Sequence, residues 1–188
     1  RGPGTINSYK KIGTGDPGGA SYGTYQIATN TGTMNNFMKW MDDNQPHMAS
    51  RFDGLTPGTG KFDEEWKTLA KQQHAFIKQT HYDKTLSRLP AAYRHQLNLD
   101  ERSPVIKDVI WSTSVQHGAD GGALIIQRAL AGQNNKNLSD EELINRIYNE
   151  RGANNGQKYF RRSSENVRNG VLNRFKNEKH DALQRLRG

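Results

Sequence analysis

The 188-residue chain has no cysteine. Disulfides, thiolate catalysis and cysteine-ligated zinc are therefore excluded together. No stretch of about 18 consecutive apolar residues occurs, so no membrane-spanning or membrane-inserted helix is expected. No secretory signal is visible at the N-terminus. The six histidines form no His-Glu-x-x-His pair, and neither a metal nor any other cofactor is expected. A Gly-x-Ser-x-Gly elbow is also missing. Ser21 follows Gly18-Gly19-Ala20 and Ser114 precedes His117 by three residues, but neither has the setting of an activated serine. There is no internal repeat, no low-complexity tail, and no glutamate before Glu64.

Positive charge, by contrast, is plentiful. Lys and Arg number 27 against 19 Asp and Glu, a formal net charge of +8. Such a surface favours acidic partners: nucleic acid, anionic lipid, or a cell-wall polymer carrying carboxylates. The basic residues are dispersed over many segments and no nucleic-acid motif is present, which argues against nucleic acid as the partner. The length suits a single domain, 1–188, able to bury a full core. The chain opens on Arg1-Gly2-Pro3-Gly4, so it is expected to be a module, C-terminal in position, of a larger protein, with functional residues lying upstream.

Eight of the 19 glycines fall in residues 1–32. Loops and short strands are expected there, with a hairpin through Thr5-Ile6 and Ser21–Tyr25. The remainder has helical periodicity. Met34, Phe37, Met38 and Met41 share one face, with Thr31 or Thr33 as cap and Pro46 as terminator, and core packing is the expected use of that face. Asp63 is expected to cap a long helix with Trp66, Leu69, Ala70, Phe76 and Ile77 inward. Ser103-Pro104 reads as N-cap and N1 of a helix ended by Gly118, Gly121 and Gly122. Residues 123–131 form a short, nearly all-apolar helix suited to the centre of a domain. Ser139 and Glu142 make a capping box, and Val167, Val171, Phe175, Leu183 and Leu186 mark one or two amphipathic helices near the end. The fold class is mainly α (α+β): six to eight helices with a small glycine-rich β or loop region near the N-terminus.

Two stretches carry candidate chemistry. In Asp16–Ile27, glycines precede Ser21, Tyr22, Tyr25 and Gln26. Asp16 is read as a turn aspartate bonding its own backbone, or as a general base beside a cleft. In Trp111–Gly122, Gln116 and His117 stand before glycines that let backbone approach a ligand; a helix C-cap is the alternative. Rings, amides and hydroxyls together suit a carbohydrate cleft.

These residues resemble those of lysozyme-like peptidoglycan hydrolases, found in phage tail proteins and type VI secretion effectors and related to lytic transglycosylases and goose-type lysozymes. The resemblance rests on Pro3-Gly4-Thr5-Ile6, on Gly15-Asp16-Pro17-Gly18-Gly19-Ala20-Ser21-Tyr22-Gly23-Thr24-Tyr25-Gln26-Ile27, on Val109–Gly118 and on Asn173-Arg174-Phe175. It implies a lysozyme-like helical domain that cleaves the β-1,4 bond between N-acetylmuramic acid and N-acetylglucosamine. It implies an antibacterial enzyme working at the cell wall or in the periplasm of a target cell, as a monomer, with peptidoglycan strands as substrate and an immunity protein as a partner if it is an effector. By the same resemblance Asp16 is the catalytic second carboxylate. Ser21, Tyr22, Tyr25 and Gln26 bind substrate, and Gln116 and His117 face them. The general-acid glutamate of the family is expected upstream of Arg1. Lytic transglycosylation of the same bond, and a non-catalytic wall-binding or nucleic-acid-binding module, stand as alternatives.

Overall fold

Short strands come first because glycine-bearing turns interrupt the chain before any helix can propagate. In the computed structural model, which describes residues 2–7, 19–132 and 137–188, three two-residue strands form an antiparallel sheet. Strand β1 (Ile6–Asn7) pairs with β2 (Ser21–Tyr22), and β2 with β3 (Ile27–Ala28). The register sets Ile6 opposite Tyr22 and Tyr22 opposite Ile27. The hairpin expected from Thr5-Ile6 and Ser21–Tyr25 is thus present. Asp16 lies outside the described residues.

Helices follow. They are α1 (Thr33–Asn44), α2 (Pro46–Ala49), α3 (Gly60–Trp66), α4 (Ala70–Ile77), α5 (Asp83–Arg88), α6 (Ala91–Leu97), α7 (Pro104–Leu130), α8 (Asp140–Arg151), α9 (Gln157–Phe160) and α10 (Glu165–Arg187). The mainly helical class with a small N-terminal sheet is as the sequence implies. The chain divides into two units, Arg1–Gln79 and Thr80–Gly188.

The first unit is built on aromatic packing. Met34, Phe37 and Met41 are each at most 1% exposed, so the methionine stripe serves the core. Phe37 meets Trp66 at 5.2 Å and Phe76 at 5.2 Å between ring centroids, spacings at which tilted and edge-on rings attract. Two capping expectations are corrected. Helix α1 starts from Gly32 in the left-handed region with no side-chain cap, while Thr31 and Thr33 bond one another. The cap of α3 is Thr59, whose hydroxyl accepts from Phe62 N. Asp63 sits within α3, and the single long helix expected from it is two, parted at Lys67–Leu69.

The second unit is centred on α7, which packs against α5, α6, α8 and α10. Ser103 caps it and Pro104 occupies its first turn, as expected. The glycines do not end it. Gly118 (φ 72°, ψ 175°) kinks the helix, and the chain resumes as helix through Leu130. The reason is burial: Ala123, Ile125, Ile126, Ala129 and Leu130 are at most 3% exposed, and their packing holds the second half in place. Ser139 and Glu142 form the expected capping box of α8. Helix α10 is one amphipathic helix, not two.

Candidate functional site

The turn joining β2 to β3 carries two of the residues singled out from the sequence, Tyr25 and Gln26. Gly23 (φ 75°) is its hub. Its N–H donates to Thr5 O at 2.7 Å, and its carbonyl accepts from Gln26 N at 3.2 Å and from Gln26 Nε2 at 2.8 Å. Gln26 itself adopts φ 52°, a left-handed conformation uncommon for a residue with a side chain. Asn7 Nδ2 donates to Gln26 Oε1, so both ends of the amide are held. Among the described residues, one Nε2 hydrogen and one Oε1 lone pair of Gln26 remain without a partner. The Tyr25 hydroxyl shares a hydrogen bond with His74 Nδ1 at 3.1 Å, and both Tyr25 and Gln26 are half-buried.

Beneath the turn lies Gln73 of α4, 1% exposed. Its Nε2 donates to Pro3 O at 3.1 Å, the carbonyl that also accepts from Trp66 Nε1 at 3.1 Å. The two donors tie the segment entering β1 to α3 and α4. Gln73 Oε1 is buried without a hydrogen-bond donor among the described residues and faces the Cα of Gly23.

Ser21 is half-buried on β2, opposite Asn7 and Ala28. Tyr22 departs from its expected role. It is 0% exposed, its ring packs on Phe62 and Trp66, and its hydroxyl donates to Asp63 Oδ1 at 2.7 Å while accepting from Gly58 N at 2.6 Å. Alternation along a strand explains this: a residue next to half-buried Ser21 points to the opposite, core-facing side. Tyr22 therefore offers no face to a glycan.

Gln116 and His117 belong to the second unit. Gln116 Oε1 accepts from Arg174. The His117 ring stands among Tyr159, Phe160 and Phe175, at 5.4 to 6.0 Å between centroids. Burial, then the charges of Arg151 and Arg174, push its pKa down to about 3. The imidazole is neutral at pH 7, so it cannot act as a cationic helix C-cap, and the helix does not end there.

Next to His117 is a cluster that the sequence reading missed. Arg151, 0% exposed, lies with its guanidinium carbon 4.1 Å from the Phe175 ring centre and 4.9 Å from that of Tyr148. Glu178 is its counter-charge at 3.5 Å. Glu178 Oε2 also accepts from Ser112 Oγ at 2.8 Å and from the Tyr148 hydroxyl at 3.2 Å. A signal was available: Arg151 continues the apolar stripe Ile144, Ile147, Tyr148 of α8, where a charge must find a partner. On the outer side of α8, Glu150 accepts from Lys158 Nζ at 2.6 Å and from the Tyr159 hydroxyl. Burial acts to raise the Glu150 pKa, but these contacts outweigh it and hold the carboxyl below its usual range.

Among the described residues no group of three or more histidines and carboxylates could hold a metal ion, and no helix is long and apolar enough to cross a membrane.

Residues 1–179 match the family model of the C-terminal region of type VI secretion system spike proteins of the VgrG3-like kind. The type VI secretion system spike protein VgrG3 of Vibrio cholerae serotype O1 is 36% identical over 152 residues, which covers 77% of this chain. The chain spans only 14% of that relative's length. With the family model extending over nearly the whole sequence, the chain belongs to the VgrG3-like C-terminal family of type VI secretion spike proteins.

Proposed function

We propose that this chain is the effector end of a type VI secretion spike, a muramidase that cleaves the β-1,4 bond between N-acetylmuramic acid and N-acetylglucosamine in the wall of a target cell. The spike delivers it, and the cell that makes it is protected by an immunity protein. Membership of the spike family supports the delivery. The resemblance of the segments around Gly15–Ile27 and Val109–Gly118 to lysozyme-like enzymes supports the reaction.

The observation that carries the reading is the Gly23–Gln26 turn. A non-glycine residue in the left-handed region stores strain of order 1 kcal/mol, and such strain persists where the surroundings over-determine it, commonly at binding sites. Here Asn7 and the Gly23 carbonyl fix the Gln26 amide, and Tyr25 lies beside it. A preset amide next to an aromatic ring can bond a sugar hydroxyl or acetamido group while the ring meets a sugar face.

In the proposed reaction, a protonated carboxyl gives its proton to the leaving glycosidic oxygen as positive charge develops on the muramyl ring. Asp16, as the second carboxylate, stabilises that charge or activates the attacking water. Tyr25 and Gln26 hold the sugar. The full-length spike protein is the enzyme to assay, so that every carboxylate of the parent chain is present. It should release muropeptides with reducing ends from purified peptidoglycan, and D16N should lower the rate by at least about 100-fold, the scale of a general acid–base contribution. Absence of any glycan cleavage by the wild-type spike refutes the enzyme. Products lighter by one water would assign transglycosylation instead.

A further inference from the structure

Helices α8 and α10 enclose a groove of about 490 Å³ within the second unit. Tyr148, Leu172, Phe175 and Leu183 give it apolar walls, and Lys176 and Lys179 stand on its rim. Three observations set its chemistry. First, no carboxylate lines it. Second, among the described residues neither lysine forms an ion pair, Lys176 makes no hydrogen bond, and Lys179 reaches only the neutral Asn149 Oδ1 at 3.3 Å. The nearby carboxylates are engaged elsewhere, Glu178 with Arg151, Ser112 and Tyr148, and Glu150 with Lys158 and Tyr159. Third, Gly152 keeps the wall open. A Cβ there would lie 3.2 Å from Leu172 Cδ2.

From these we infer that the α8–α10 groove binds a short anionic peptide, with carboxylates at Lys176 and Lys179 and small apolar side chains on Phe175 and Leu183. The peptide stems of peptidoglycan have this chemistry, since alanine methyl groups alternate with residues carrying free carboxylates. The volume suits a ligand of a few residues, in the range of small-molecule sites. A folded partner would need a contact of about 800 Å² per side. Identifying the source as wall stems rests on the muramidase reading; the groove's preference for an anionic peptide does not. The site would hold the enzyme on its polymer while the glycan is cut elsewhere on the chain.

The experiment uses two probes. A synthetic stem tetrapeptide is titrated into the 15N-labelled chain, and the full-length spike is assayed on intact peptidoglycan and on glycan strands freed of peptide. The wild type should show shifts at Leu172, Lys176, Lys179 and Leu183, weakened by salt. K176E/K179E, two surface changes expected to fold normally, should weaken peptide binding by about tenfold or more, because each exposed charge contact contributes modestly and reversal adds repulsion. The variant should lose a similar factor on intact peptidoglycan and none on peptide-free strands. No peptide shifts in the wild type, shifts outside the groove, or equal binding by the variant would overturn the site. Equal losses on the two substrates, or equally tight binding of an oligoglutamate, would overturn stems as the ligand. A wild-type spike that cuts neither substrate would defeat the muramidase reading while leaving the titration to decide the groove.

Discussion

Replacing Gly23 by alanine tests how the turn is built. The backbone at φ 75° disfavours any side chain, by roughly 1–2 kcal/mol for the left-handed region. The added Cβ would lie 1.9 Å from Gln73 Oε1 and 2.8 Å from Gln73 Cδ. Gln73 is 1% exposed and has little room to yield, so its amide must leave the Pro3 carbonyl. Losing that hydrogen bond and leaving the buried amide unpaired costs about 1–3 kcal/mol. G23A should therefore lower stability by about 3–4 kcal/mol in total, measured by urea denaturation of the chain. A double-mutant cycle separates the two causes. Q73A removes the clash but not the backbone strain, so G23A/Q73A should be less destabilised than the sum of the single variants by about 2 kcal/mol. A loss below 1 kcal/mol in G23A, or strict additivity in the cycle, would refute the close approach of Gln73 to Gly23. In the spike, G23A should also lower glycan cleavage, because Gln26 donates two hydrogen bonds to the Gly23 carbonyl.

Two further outcomes follow from the second unit. E178A leaves Arg151 buried without its carboxylate, and should destabilise the chain by about 3 kcal/mol, the lower end for breaking a buried pair because Glu178 is 31% exposed; thermal or urea unfolding reads it, and a change under 1 kcal/mol would show that Ser112 and the rings suffice. The pKa of His117 is depressed in the folded state to about 3 from 6.5, so the unfolded chain binds the extra proton between those values. The stability this confers is complete above pH 6.5 and is lost as pH falls toward 3. At pH 5 the loss from this group should be about 2 kcal/mol, and H117F should flatten the stability profile between pH 7 and 5.

The local signals worked where the deciding contacts are close in sequence. Ser103-Pro104 and Ser139-Glu142 cap α7 and α8 as expected because a cap bonds backbone only two or three residues away. The Met34, Phe37 and Met41 stripe found the core for the same reason, since helical spacing fixes a shared face. The cap of α3 was misplaced by four residues because Asp63 and Thr59 are both competent, and the choice turns on Tyr22, 41 residues from Asp63, bonding its carboxylate. Gly118 was misjudged as a terminator. A glycine ends a helix when nothing beyond it gains by continuing, and here the buried residues from Ala123 to Leu130 do gain.

Of the candidate site, the sequence by itself determined the composition: a glycine-rich segment bearing Tyr25 and Gln26, a basic chain, and a mainly helical frame capped at identifiable residues. These are properties of residue type and short spacing. Only the tertiary structure decided which of the residues serve which end. It buried Tyr22 and left Gln26 half-buried with a fixed amide, placed Gln73 under Gly23, and set Arg151 against Glu178, 27 residues away. Those outcomes depend on desolvation and on partners distant along the chain, and neither is encoded in local periodicity.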